Sequence, residues 1–405
     1  MSQTTVPSTF GTLLDEAAEL QGDAVRLRRT LHAHPELGLA LPRTQDQILG
    51  ALDGLGLQVR TGEQVSSVVA VLDGARPGPT ILLRGDMDAL PMPEDTGLDY
   101  TSEVDGAMHA CGHDTHVAML TSAARLLVAR KSELAGRVLF MFQPGEEGFH
   151  GARYMLEEGL LDDVGEVTGA FAIHISTAAV AGVISLRGGT QMASSDTMRI
   201  RVVGRGGHAS APHHALDPIP IACEIVQALQ LMVTRRIDVF DPAVVTVAQI
   251  TAGTTSNVIP EHADILGTIR AVSERTRTKV HDAIKRVAEG IAAAHDASAH
   301  VEVELGYPVT VNDHGYAGQV LQTATDLIGE QRVRAMPSPV MGAEDFSYVL
   351  QRVPGAMAFL GGCPPELDPR TAPPNHSNRV VFDESAMPTG IALYAAMALR
   401  HLGAG

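Results

Sequence analysis

Three short apolar runs constrain this chain more than any other feature. Thr80–Arg84, Arg137–Phe142 and Ala170–Ile175 have the length and composition of buried strands. The first runs into Gly85-Asp86-Met87-Asp88, the second into Gln143-Pro-Gly-Glu146-Glu147-Gly148, and the third carries His174. Apolar strands separated by helical stretches predict an α/β sheet, and open α/β sheets place their sites at the C-terminal ends of strands. Two adjacent glutamates at such an end repel one another unless a cation lies between them, although an ordinary acidic loop has the same sequence pattern. A lone histidine in an apolar run is ordinarily a core residue. Here it is the third strand in succession to bring a metal-type side chain.

Between the first two runs lies His109-Ala-Cys-Gly-His-Asp-Thr-His116, followed by Val117–Val128 with apolar residues at helical spacing. Cys111 and His113 therefore fall at a helix N-terminus, where free N–H groups and the helix dipole favour a thiolate. A thiolate and an imidazole two residues apart on a tight turn can face one metal ion. A buried structural cysteine beside surface histidines is the plainer reading of that stretch alone. A further histidine, His376, stands in Asn375-His376-Ser377 after a Pro/Gly-rich loop. Cys111, His113, Glu147, His174 and His376, with Glu146 beside them, suit two divalent ions held close together. Such a pair polarises a carbonyl and generates hydroxide near neutral pH. A carboxylate turned toward the water serves as general base.

The rest of the chain sorts into two patterns. Leu13–His32 and Pro42–Leu55 read as helices, the second closed by Gly54 and Gly56, and Val65–Leu72 reads as a strand before the turn Gly74–Pro79. From about Gly188 the order becomes strand Thr197–Val203, helix Pro218–Val233, strands Val244–Ile250 and Ala263–Ala271, helix Glu274–Ala294 and strand Val301–Tyr307. This β-α-β-β-α-β order predicts a ferredoxin-like α+β domain over 188–307, inserted into an α/β domain made of 1–187 and 308–405. After Pro308 the α/β pattern resumes with helix Gly318–Ile328, Gly342-Ala-Glu-Asp-Phe346 ahead of another helix, strand Ala356–Leu360 and a last helix Met387–Arg400.

A formal net charge of −17 and the absence of tryptophan argue against nucleic acid and anionic membranes as partners. No run of eighteen apolar residues predicts a membrane span, and Met1–Thr12 lacks the apolar centre of a signal peptide. Cys111, Cys223 and Cys363, odd in number and scattered, form no disulfide framework, so a reducing cytoplasm is expected.

The segments His109–His116, Gln143–Gly148, Gly206-Gly-His-Ala-Ser-Ala-Pro212 and Gly342–Phe346 resemble the amidohydrolase branch of the aminoacylase/carboxypeptidase G2 metallopeptidase family. That branch includes hippurate hydrolases, auxin-conjugate hydrolases and N-acyl-amino-acid aminoacylases. The resemblance runs from His32-Ala-His-Pro-Glu36 to the last helix, and the motif set in this order is specific where single members are not. It implies a two-metal α/β hydrolase domain with an inserted lid and dimerisation domain, cleaving N-acyl amino acids to a carboxylate and a free amino acid. A dipeptidase or carboxypeptidase of the same family, and a non-catalytic acyl-amino-acid binder, are the alternatives.

Carried over residue by residue, the resemblance puts the bridging cysteine on Cys111, the other metal ligands on His113, Glu147, His174 and His376, and the catalytic base on Glu146. His208 matches a lid histidine that the family uses from the neighbouring subunit of a homodimer. Asn257 in Thr255-Ser-Asn-Val-Ile-Pro260 and Arg270 in Gly267-Thr-Ile-Arg270 match substrate-binding lid residues. A planar guanidinium such as Arg270 suits a free α-carboxylate. Asp88 is read as a group that orients a ligand. Asp86, which stands where related carboxypeptidases have a metal-binding histidine, is not expected to be a ligand. His109, His116, His213 and His214 are expected to be structural or exposed, with His116 a candidate for contact with a ligand. The donor set suits zinc or manganese, with cobalt or nickel as further candidates. Two departures flank ligands: Ser-Thr-Ala-Ala follows Ile175 in place of a proline-rich continuation, and Asn375 stands where leucine is usual.

Overall fold

The structure, a computed structural model, describes residues 10 to 403; most of the polar opening segment Met1–Thr12 falls outside the described residues. The chain forms two compact units. The first takes residues up to Gln191, Val311–Ser338 and from Tyr348 onward; the second takes Met192–Thr310 and Pro339–Ser347. Gly342–Phe346, expected with the α/β domain, thus groups with the inserted unit.

The first unit is built on eight strands: β1 (Gln58–Thr61), β2 (Val68–Asp73), β3 (Arg76–Asp86), β4 (Ala135–Gln143), β5 (Val167–Val180), β6 (Ile184–Leu186), β7 (Val333–Ala335) and β8 (Gly355–Cys363). Their order in the sheet is β1-β2-β4-β3-β5-β8-β6-β7. The central four, β4, β3, β5 and β8, are mutually parallel. β3 feeds β4 on one side, and β4 then connects across β3 to β5 on the other. The chain paths leaving β3 and β5 diverge, which opens a crevice at their C-terminal ends. Pairing between β3 and β5 stops at Arg84 and Ala172. Beyond it, the buried Tyr394 hydroxyl bridges the gap, donating to the Arg84 carbonyl at 2.7 Å and accepting the Ile173 N–H at 3.1 Å.

Helices of this unit include α1 (Leu13–Glu19), α2 (Gln21–His32), α3 (Pro42–Leu52), α4 (His113–Ala129), α5 (His314–Ile328) and α6 (Met387–Leu402). The single helix expected over Leu13–His32 is interrupted at Leu20. The turn expected at Gly74–Pro79 is largely the start of β3. Most residues of α4 and α6 are buried, and their apolar side chains join those of β3, β4 and β5 in one continuous core. A helix hydrophobic on all sides is a buried helix, so the start of α4 is held rigidly at the strand ends.

The second unit has strands Asp196–Val203, Ala243–Ala252, His262–Ala271 and Ser298–Leu305, with helices Pro218–Arg236 and Glu274–Ala294. All neighbouring pairs are antiparallel. In chain order the strands lie 2-3-1-4 across the sheet, the ferredoxin-like arrangement expected from the element order. Asp217 and Ser273 cap the two helices with their side chains, and Pro218 occupies the first turn of the earlier one. Met198, Ile200, Val202, Ile265 and Ile269 face the helices, while the alternate residues Arg199, Arg201, Asp264 and Arg270 lie on the other face.

Candidate metal centre

The turn before α4 brings the first two candidate ligands together. Gly112 sits at φ 90°, a conformation that side chains rarely adopt. A Cβ there would lie 2.4 Å from Ile175 Cγ2 and 3.0 Å from the Phe382 ring. This glycine lets Cys111 and His113 turn toward the ends of β3 and β5.

Each histidine of the first unit's candidate set is held by one nitrogen or by its backbone. His113 Nδ1–H donates to the Asp88 carbonyl at 2.8 Å, and His174 Nδ1–H donates to the Ile175 carbonyl at 2.8 Å. Their Nε2 atoms are thereby turned inward. His376 is at φ 68°, and its backbone N–H donates to the Ala110 carbonyl at 2.9 Å. The Cys111 sulfur lies 3.4 Å from His174 Nε2 and 3.3 Å from His376 Nε2, and His376 Nε2 lies 3.1 Å from Glu147 Oε1.

Two donor triads result, Cys111–His113–His174 and Cys111–Glu147–His376, and within each the donor atoms lie within 4.8 Å of one another. The Cys111 sulfur is common to both. A third group, His113–Glu146–Glu147, has the same spacing and places Glu146 at its edge. His113 Nε2 is buried without a hydrogen-bond partner among the described residues, and the buried Glu147 Oε1 meets the His376 ring nitrogen at 3.1 Å. Buried polar atoms are almost always paired, so an orphaned ring nitrogen aimed into a cluster of thiol, imidazole and carboxylate donors fits divalent cations.

The electrostatics show what the cluster does without them. Burial, with His116 nearby, pulls His174 down to about 3, which keeps it a neutral donor. Contacts with Cys111 and Glu147 push His376 up to about 10. Burial opposes a charge on His113, but Asp86 and Cys111 raise it well above its ordinary value. Burial and the Glu147 charge raise the Cys111 thiol, against the helix-terminus effect expected from sequence.

The surrounding shell is specific. Asp88, buried, accepts the backbone N–H of Glu146 at 2.9 Å and of Glu147 at 3.0 Å, besides lending its own carbonyl to His113. It therefore fixes the Glu146–Glu147 turn. Asp86 Oδ2 is paired with Arg84 at 2.7 Å, and its Oδ1 accepts His116 Nδ1–H at 2.5 Å. His116 Nε2 accepts the Ile175 N–H at 2.8 Å. Both His116 nitrogens are occupied, so it is a structural histidine behind His174. His109 is buried, whereas His213 and His214 are exposed.

The lid candidates lie in the second unit. His208 pairs with Val258 in a two-stranded ribbon, and the Ala209 N–H donates to the Asn257 carbonyl, so His208 and Asn257 are neighbours. Both are exposed. The ribbon adjoins the His262 end of strand His262–Ala271, and Arg270 lies near the opposite end. At about 3.3 Å per residue that separation is roughly 26 Å. Arg270 is half-buried, and burial lowers its pKa.

The sequence model of peptidase family M20/M25/M40 matches residues 82–400. The chain belongs to this family. Its relatives include N-acetylcysteine deacetylase of Bacillus subtilis (strain 168), 39% identical over 338 residues that cover 83% of this chain and 87% of that protein. Thermostable carboxypeptidase 1 of Saccharolobus solfataricus is 38% identical over 398 residues, covering 96% and 98%. Among solved structures, the Bacillus subtilis YXEP protein, described as a dinuclear metal binding peptidase from the M20 family, matches with a TM-score of 0.82 at 32% identity, covering 95% of this chain and 98% of that one.

Sequence reading of this M20 chain missed two contributors. Arg84 neutralises Asp86 from inside β3; a lone arginine in an otherwise apolar run was the available signal. In sequence Asn375 stands out only as a departure, because its contacts depend on carbonyls more than 190 residues away in the chain.

Proposed function

We propose that this M20 enzyme cleaves the amide bond of N-acyl amino acids to a carboxylate and a free amino acid, using two divalent ions held by Cys111, His113, Glu147, His174 and His376. The pair of donor triads sharing one sulfur, beside adjacent glutamates, carries this reading. When bound, the ions polarise the scissile carbonyl and lower the pKa of water. Glu146 takes the proton from the attacking water and delivers it to the departing amine. Asp88 holds Glu146 and Glu147 in register through their backbone N–H groups. The thiolate and imidazole donors suit zinc best, with manganese next.

The lid residues are divided between two subunits in this reading. A small substrate cannot touch both His208 and Arg270 of one chain when the strand running from the His208 ribbon's end to Arg270 spans roughly 26 Å. Arg270, on the helix-free face, binds the substrate α-carboxylate assisted by the partner's Asn257, and His208 donates to the carbonyl oxygen of the partner's site. Ala243–Ala252 and Ser298–Leu305 are the outer strands of the second unit's sheet, and outer strands offer unpaired backbone groups for association. A homodimer through this unit follows. The free thiols of Cys111, Cys223 and Cys363 support a cytoplasmic location, and no helix among the described residues is long and apolar enough to cross a membrane.

Metal-stripped and metal-reconstituted protein, assayed on matched panels of N-acyl amino acids and unblocked dipeptides, tests the reading. Metal-dependent turnover of the acyl panel is expected. The thermostable carboxypeptidase relative favours the second reading, a peptidase of the same family, and preference for the dipeptide panel would establish it. Turnover of neither would end both.

A further inference from the structure

We propose that Asn375 is a positioning residue for the metal centre, its side-chain amide tying the loops of Cys111, His174 and His376 into one arrangement; this rests on those three being ligands. Asn375 Nδ2 donates to the Cys111 carbonyl at 3.1 Å and to the Ile175 carbonyl at 3.0 Å. Both partners are acceptors, so only the NH2 end of the amide can face them. The Ile175 carbonyl is the same oxygen that receives His174 Nδ1–H at 2.8 Å, and the Ile175 N–H is held by His116 at 2.8 Å. The Ile175 backbone therefore fixes the His174 ring through its carbonyl, which Asn375 also grips, and is held by His116 through its N–H.

The neighbouring residue is His376, in the left-handed region at φ 68°. A histidine persists there only when its surroundings over-determine it. Its N–H is bonded to the Ala110 carbonyl at 2.9 Å, and the Ser377 N–H closes a turn onto the Pro374 carbonyl at 3.0 Å. The Asn375 side chain adds the bonds that stitch this turn to the Cys111 and His174 loops. Leucine would fill similar space and supply no donor. Aspartate would turn acceptors toward two carbonyls.

Removal of groups that orient ligands typically costs about 10–100-fold in metal affinity or activity. Cobalt(II) titration of chelator-stripped protein, followed by the sulfur-to-cobalt absorption and by chelator competition, reads the effect without turnover. Asn375→Leu is expected to weaken cobalt binding about 10–100-fold and to change the sulfur-to-cobalt band, with a larger loss in Asn375→Asp. In assays of the loaded protein kcat should fall while KM stays near wild type. Thermal unfolding of the metal-free variants controls for folding. A lowered Tm with wild-type cobalt affinity and spectrum would make Asn375 a structural residue only and overturn the proposal. Wild-type protein that binds no cobalt would overturn the metal reading and this inference together. Two-site binding unchanged in Asn375→Leu would overturn this inference alone.

Discussion

The two units treat their site residues in opposite ways. In the first, Cys111, His113, Glu146, Glu147, His174 and His376 come from well-separated stretches of sequence and converge, with donor atoms a few ångströms apart. In the second, His208 and Asn257 share one end of the sheet and Arg270 stands near the other. Convergence within one chain means that the metal chemistry is assembled by folding alone. In the proposed reading, divergence divides carbonyl stabilisation and carboxylate binding between chains, so that catalysis would need the assembly. Substitutions that separate these two dependences put the contrast at risk.

The largest effect is expected at Glu146. Glu146→Gln should retain metal and lose about 100- to 10,000-fold in kcat, measured by steady-state kinetics beside metal analysis. Near-normal turnover would remove the base from the convergent cluster. His208→Ala should lose roughly 100- to 1,000-fold in kcat. Inactive His208→Ala and Glu146→Gln subunits, allowed to exchange, should recover activity, because a mixed dimer holds one site with both residues intact. Proven exchange without recovery would place His208 within its own subunit's chemistry. Arg270→Ala should raise KM for acyl amino acids by about 10–100-fold, the range of a lost charged hydrogen bond. It should do much less for the corresponding acyl amino-acid amides; equal effects on both would dissociate Arg270 from the carboxylate.

The smallest effect is a pH dependence confined to the first unit. His376, held near 10 in the metal-free protein, and His113, also raised, carry protons that must leave before a cation can bind. Metal affinity should therefore rise with pH, about tenfold per unit for each proton released, and His376's contribution should level off above about 10. Isothermal titration in buffers of different ionisation enthalpy counts the protons. Affinity that is flat from pH 7 to 9 would mean that the cluster is already deprotonated.

The convergent half was the more legible in sequence because its ligand types are rare and placed at strand ends. Cys-Gly-His at a helix start, paired glutamates after an apolar run and a histidine within another run identify themselves by chemistry. Arg84 and Asn375 did not. A buried arginine is explained only by the carboxylate it meets, and Asn375 only by two carbonyls brought to it by other loops. The break at Leu20 was likewise hidden, since both halves keep apolar residues at helical spacing. In the second unit the element order predicted the ferredoxin-like sheet, whereas the face that Arg270 occupies appears only with the strand's burial pattern.

By itself the sequence determined the identity of the donors, the α/β framework and the inserted β-α-β-β-α-β unit, because each depends on local periodicity and side-chain chemistry. Tertiary structure alone decided which donors share the Cys111 sulfur, which histidine nitrogens face inward and which are spent on Asp86 or a backbone carbonyl. It also decided that the His208 ribbon adjoins one end of the strand whose other end carries Arg270. Those facts depend on strand order and register. A parallel sheet joins residues distant in the chain, and no spacing within a single segment records where its neighbour will stop.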